Sequence, residues 1–166
     1  PIAIPMDQGP DFKGIIDLVK MCQVRYIEAP SGTVPQEEPL SEEWRPLAEK
    51  WHRNLLESVA ELDEALFDKY CAGEELTEPE IVSAVRTATR AHLICPVLCG
   101  SAFRNKGVRR LLNAVVNYLP SPLDVPVVEG KDLSGENISR VASADAPLAA
   151  LAFKVVSNKH VGKLVY

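Results

Sequence analysis

Between Pro120 and Pro147 the chain carries four prolines, two glycines and many small polar residues. Proline fixes φ and removes a backbone donor, and glycine raises the entropic cost of any regular element. Residues 121–147 are therefore predicted to be an interdomain linker. The linker divides the chain into a long first part and a short second one, residues 148–166, which reads as the start of another domain. The 166 residues are 46% hydrophobic and 25% charged, a globular composition. A chain this long can bury roughly 70% of its unfolded surface, so a core is possible without staples. No apolar run approaches the ~18 residues of a membrane span. No basic and apolar leader opens the chain, so no signal peptide is expected. It begins at Pro1 without Met and stops at Tyr166 inside an apolar stretch, which reads as a fragment with both ends cut.

Within the first part the pattern predicts an α+β fold: a small antiparallel sheet packed with two or three helices. Residues 1–5 read as the end of a strand, and 6–11 as a loop. Residues 12–19 (FKGIIDLV) and 22–27 read as strands able to pair as a hairpin. Residues 28–40, rich in Pro, Gly and Glu, are predicted to be a surface loop. A long helix follows, capped by Ser41 or beginning regularly at Pro46, and ending at Gly73. Trp44, Trp51, Leu55, Val59, Leu62, Leu66 and Tyr70 recur along one face of it. Thr77 and Glu80 have capping-box spacing, which predicts a helix from about Glu78 to Ala91 with Ile81, Val85 and Ala88 inward. Residues 93–99 (LICPVLC) form a short continuous apolar run, as in a buried strand. A further helix, 107–118, has a broad apolar face of Leu111, Leu112, Val115, Val116 and Leu119. Residues 148–156 and 161–166 are predicted to form a C-terminal β-hairpin around Ser157–His160.

Charge is segregated along the chain. Residues 28–80 carry a net charge of −11, and residues 81–120 one of +6 with no acid at all. The two blocks can neutralise each other in the fold, or the acidic one can face a basic partner. On a continuous helix, Glu57, Glu61, Glu64 and Asp68 fall within about 60° of one another, opposite the apolar face. That stripe is either a solvated surface or a docking face.

The catalytic motifs are missing. There is no phosphate-binding GxxxxGK[ST], no GxGxxG, no nucleophile elbow and no HExxH. Cys22, Cys71, Cys95 and Cys99 are scattered, as suits free thiols in a reducing cytosol, and Cys95–Cys99 is not a zinc spacing. No catalytic residue and no metal site is expected. One segment invites a ligand: Gly100, Ser101, Ala102 and Phe103 follow a predicted strand and precede a helix. Small residues in that position allow close approach to unpaired backbone N–H groups. An ordinary tight loop reads the same way.

The string VLCGSAFRNKGVRRLLNAVVNYLPSPLDVP, residues 97–126, resembles the end of the GTP-binding domain of bacterial translation elongation factor G. Residues 12–21, 74–81 and 148–156 are similar to the same family in the same order. The resemblance implies a domain plan. Residues 1–5 would be a remnant strand of the GTPase domain, and 6–95 a subdomain inserted into it. Residues 96–120 would be the closing strand and helix of the P-loop GTPase α/β domain, and 148–166 would open a β-barrel domain. It also implies that Ser101, Ala102 and Phe103 form the fifth guanine-nucleotide motif. There the Ala102 N–H would donate to the guanine carbonyl, Ser101 would support the loop and Phe103 would wall the base. The inserted subdomain of that family docks the C-terminal domain of the ribosomal stalk protein through its long helix. The matching helix here bears Glu57, Glu61, Glu64 and Asp68.

By that resemblance the parent is a cytoplasmic, ribosome-dependent GTPase that uses GTP and magnesium to drive translocation of tRNA and mRNA. This chain lacks the first four nucleotide motifs, so no cofactor is expected to be held by it and no hydrolysis is expected of it. Its expected partners are the ribosome and the stalk protein. Asn158-Lys159-His160 departs from the family's usual Asp-Pro-aromatic, which leaves room for a specialised paralogue in ribosome recycling or protection. A purely structural spacer is the remaining alternative.

Overall fold

The computed structural model describes residues 1–7, 9, 12–29, 32–125 and 127–166. Residues 1–119 form one compact unit and 120–166 a second. Among the described residues the fold is α+β, with four α-helices and small antiparallel sheets.

The first unit starts with a four-stranded meander in the order β1-β2-β3-β4. Its strands are β1 (Ala3–Pro5), β2 (Gly14–Asp17), β3 (Cys22–Ala29) and β4 (Gly32–Pro39). Ile4 lies opposite Ile16, Ile15 opposite Val24, and Val24 opposite Glu37. The β2–β3 hairpin agrees with the sequence pattern, although β2 is shorter than residues 12–19. β4 corrects it, because the expected loop at 28–40 is largely an edge strand. Pro35 and Pro39 are an even number of residues apart, so both lack a donor on the same, open side of the ladder. Prolines and glutamates protect a free edge against further pairing, and they also disguise it as a loop.

Three helices follow: α1 (Arg45–Ala60), α2 (Glu64–Cys71) and α3 (Glu78–Arg90). The single long helix expected from periodicity is thus two. Leu62 and Asp63 bond back only three residues, to Val59 and Ala60, and Asp63 turns extended. Its carboxylate then caps α2 by accepting from the Leu66 N–H at 3.0 Å. Aspartate is a better cap than helix interior, and here it wins over an unbroken apolar stripe. Ser41 is not the cap of α1; that position is Trp44. Gly73 does take the left-handed conformation, at φ +77°. Glu80 accepts from both the N–H and the hydroxyl of Thr77 at 2.7 Å, as the capping-box spacing predicts. Ile4 and Ile16 from the sheet, with Ile2 and Leu18 just outside β1 and β2, pack with Leu55, Val59, Ile81 and Val85 from α1 and α3. His52 on α1 places Nδ1 2.6 Å from the Leu18 carbonyl, so that nitrogen carries the proton.

Residues 93–99 do not form the expected strand. Ile2 N–H donates to the Val97 carbonyl at 2.9 Å, but no ladder follows. Leu93 and Val97 are exposed; a strand apolar on both faces needs a covering layer on each, and the described residues supply none for them. Helix α4 (Val108–Tyr118) lies where a helix was expected. It buries Ala114 and Tyr118 and leaves its apolar face of Leu111, Leu112, Val115, Val116 and Leu119 exposed.

The second unit contains a 3-10 turn, Pro122–Asp124, and two separate hairpins. The first pairs β5 (Val128–Lys131) with β6 (Asn137–Arg140), so the stretch expected to be a linker holds regular structure. Asp132 makes this possible, since Oδ1 accepts from the N–H groups of Ser134 and Glu136 and closes the turn. The second hairpin pairs β7 (Val155–Asn158) with β8 (Gly162–Val165), within the expected region but shorter.

Candidate functional site

The turn at 101–106 is a four-residue loop closed by one isolated antiparallel bridge. Ser101 N–H donates to the Lys106 carbonyl at 2.8 Å, and Lys106 N–H to the Ser101 carbonyl at 2.9 Å. Asn105 N–H reaches the Ala102 carbonyl at 3.0 Å, with Asn105 itself at φ +53°. Two glycines let the chain cross so tightly. A Cβ on Gly100 would lie 2.7 Å from the Lys106 carbonyl oxygen. Gly107 sits at φ +87°, and a Cβ there would meet the Gly100 Cα at 3.0 Å.

Ser101 is half-buried, whereas Ala102 and Phe103 are exposed. Phe103 is fully exposed among the described residues. Among the described residues, no backbone carbonyl accepts from the Ala102 or Phe103 N–H. A cleft of about 320 Å³ lies beside the turn, lined by Phe12, Cys99, Gly100, Ser101 and Arg104 among others. Burial pushes the Cys99 thiol up to about 11, so it stays protonated at neutral pH. Such a turn can present donors to one flat polar edge and an aromatic face to a ring.

Glu57 lies on α1, Glu61 at its C-terminal cap, and Glu64 and Asp68 on α2. All four are exposed. The geometric basis for the stripe therefore changes: two helices and the break between them carry it. Glu64 sits at the positive end of α2, where its charge is favourable, and Glu61 at the negative end of α1, where it is not. Glu57 accepts from the Tyr70 hydroxyl at 3.2 Å, and that carboxylate helps raise the phenol above its ordinary range after desolvation, the larger cause. The 101–103 set and the acidic set stand on different elements.

The sequence pattern did not single out the residues that tie the turn to the sheet. Arg110, in the first turn of α4, pairs with Asp17 on β2 and reaches Glu37 on β4 at 2.6 Å. Asp17 is only 8% exposed and also accepts from the Val19 and Lys20 N–H groups. A lone acid inside the apolar string FKGIIDLV, with Arg109-Arg110 in an acid-free segment, was the available signal. Tyr26 shares that side of the sheet; burial raises its phenol, and the charge of Arg110 partly offsets this. The four cysteines are unpaired, and no group of three metal-ligating side chains gathers among the described residues. Among them, too, no helix is long and apolar enough to cross a membrane.

No protein-family model matches the chain. Among solved structures, the crystal structure of ttk003000868 from Thermus thermophilus is similar over 99% of this chain, with a TM-score of 0.70 and 27% identity. The chain spans 22% of the length of that protein.

Proposed function

We propose that this chain is part of a ribosome-dependent translational GTPase of the elongation factor G kind, contributing base recognition and partner docking rather than hydrolysis. The observation that carries the reading is the 101–103 turn. Ala102 is exposed, no backbone carbonyl among the described residues accepts from its N–H, and it lies in the string where the resemblance assigns the fifth guanine motif. A guanine carbonyl accepts from such an N–H, whereas the adenine amino group in the same place cannot. Phe103 would cover one face of the base. The phosphates, the magnesium ion and the translocation step belong to the parent protein.

In the same reading the exposed acids of α1 and α2 dock a basic face of the ribosomal stalk protein, with the field speeding encounter. The similarity to a Thermus protein more than four times as long is compatible with a role as one part of a larger factor.

The test is a titration with GDP and, separately, ADP, followed at the backbone amides by NMR. GDP should move the Ala102 and Phe103 signals with an affinity no better than about millimolar, since one base contact contributes only ~1–3 kcal/mol. Equal movement with ADP, or none with GDP, rejects the guanine assignment. Docking is tested with the stalk C-terminal domain: Glu61→Lys with Glu64→Lys should weaken binding and flatten its salt dependence. Unchanged affinity in that folded double variant would reject the docking face.

A further inference from the structure

We infer that the four-stranded sheet acts as the mould of the 101–106 turn, with Lys106, Thr33 and Arg110 as positioning residues; this rests on the guanine reading of that turn. Backbone bonds alone hold the turn from within: the Ser101–Lys106 pair, Arg104 N–H to the Ser101 carbonyl and Asn105 N–H to the Ala102 carbonyl. One bridge closes it, Asn105 is left-handed, and Phe103 is fully exposed among the described residues. An exposed loop held only by its own backbone bonds opens readily.

The anchors come from the sheet. Lys106 Nζ donates to the Phe12 carbonyl at 3.2 Å, in the β1–β2 connection. Thr33 Oγ1 donates to the Arg104 carbonyl at 3.2 Å, from the start of β4. Gly14 pairs with Arg25, and Ala29 with Gly32, so Phe12 and Thr33 belong to the same end of the sheet. Both ties thus reach the returning half of the loop, Thr33 at Arg104 and Lys106 at the closing residue. Arg110 completes the frame, pinning the first turn of α4 to β2 and β4 through Asp17 and Glu37. The donor intended for the base is held at one remove, through its carbonyl and cation neighbours. A change in the sheet's loops would then reach Ala102 without touching it.

The whole chain is used for the test, with amide exchange read by NMR. Lys106→Met keeps the aliphatic stem and removes the cation; Thr33→Val keeps the shape and removes the donor. Each should speed exchange of the Ser101 and Lys106 amides by roughly three- to tenfold, the size expected for one hydrogen bond. The Ile16 and Val24 amides, in the body of the sheet, should not change. Lys106→Arg and Thr33→Ser should restore protection, which a packing effect would not do. Unchanged exchange at 101 and 106 in the double variant overturns the inference, as does a rise that the conservative variants fail to rescue. The GDP titration forms a separate arm: the GDP-dependent shift at Ala102 should shrink in the double variant. Absence of that shift in the unaltered chain removes the guanine reading, while the exchange arm still decides whether the sheet shapes the turn.

Discussion

Residues 1–119 and 120–166 use the same antiparallel pairing, but they bury their side chains very differently. The first unit joins four strands to helices and encloses Met6, Ile15, Ile16, Leu18, Val24, Val59, Ile81 and Val85 almost completely. In the second, two separate two-stranded hairpins leave Leu148, Leu151, Phe153 and Val165 exposed, and no described residue after Tyr118 is buried. Composition does not explain the contrast, since both contain apolar strands. Layering does: a ribbon of two strands has no second layer to cover its apolar face, and alone it is marginal in water.

The contrast can be broken most sharply in the core. Ile81→Ala removes a side chain that is 1% exposed and should destabilise the first unit by about 2–5 kcal/mol in chemical denaturation. Leu151→Ala, at a residue 82% exposed, should stay within about 0.5 kcal/mol. A comparable loss in both would dissolve the distinction. Asp17→Asn keeps the shape that caps Val19 and Lys20 but leaves Arg110 without its charge partner on β2. It should cost about 1–3 kcal/mol by the same assay, less than full removal of a buried partner because Glu37 remains. Amide exchange should be slowest in β2 and β3 and fastest in β5 to β8.

The smallest expected effect is electrostatic. Glu80 is held at about 2, first by the hydrogen bond from Lys69 and then by the Thr77 N–H and hydroxyl. A carboxylate depressed on folding contributes stability above its ordinary 4.5, and that contribution is lost as pH falls from there towards 2. An NMR titration should find Glu80 still ionised at pH 3, and Lys69→Met should move its midpoint upward. A midpoint unmoved by that substitution would show that the Thr77 groups alone hold the charge.

Much of the first unit was legible in the chain because its signals are short-range. The Thr77–Glu80 box, Gly73, and the inward Ile81, Val85 and Ala88 each depend on neighbours within a turn or two of helix. β4 was not legible, because Pro35 and Pro39 read as breakers until an edge is available to tolerate them. Nor was the break at Asp63, since Leu62 and Leu66 continue the apolar spacing straight through it. The hairpin β5–β6 was hidden by prolines at 120, 122, 126 and 147 that flank it rather than enter it.

At the candidate site, the turn itself could be read from Gly100 to Phe103, and so could the four acids as a set. Their supports could not. Lys106 meets a carbonyl 94 residues away, Arg110 a carboxylate 93 away, and Thr33 a carbonyl 71 away. By itself the sequence determined part of the local alphabet: that the segments at 78–91 and 107–118 are helices, that Thr77 and Glu80 cap the first of them, where a small-residue turn stands, and where acid and base are concentrated. Only the tertiary structure decided which strand is an edge, which apolar faces are covered, and which distant groups hold the turn. The physical reason is range. Periodicity and capping act across about four residues, whereas burial and ion pairing depend on what the folded chain brings alongside.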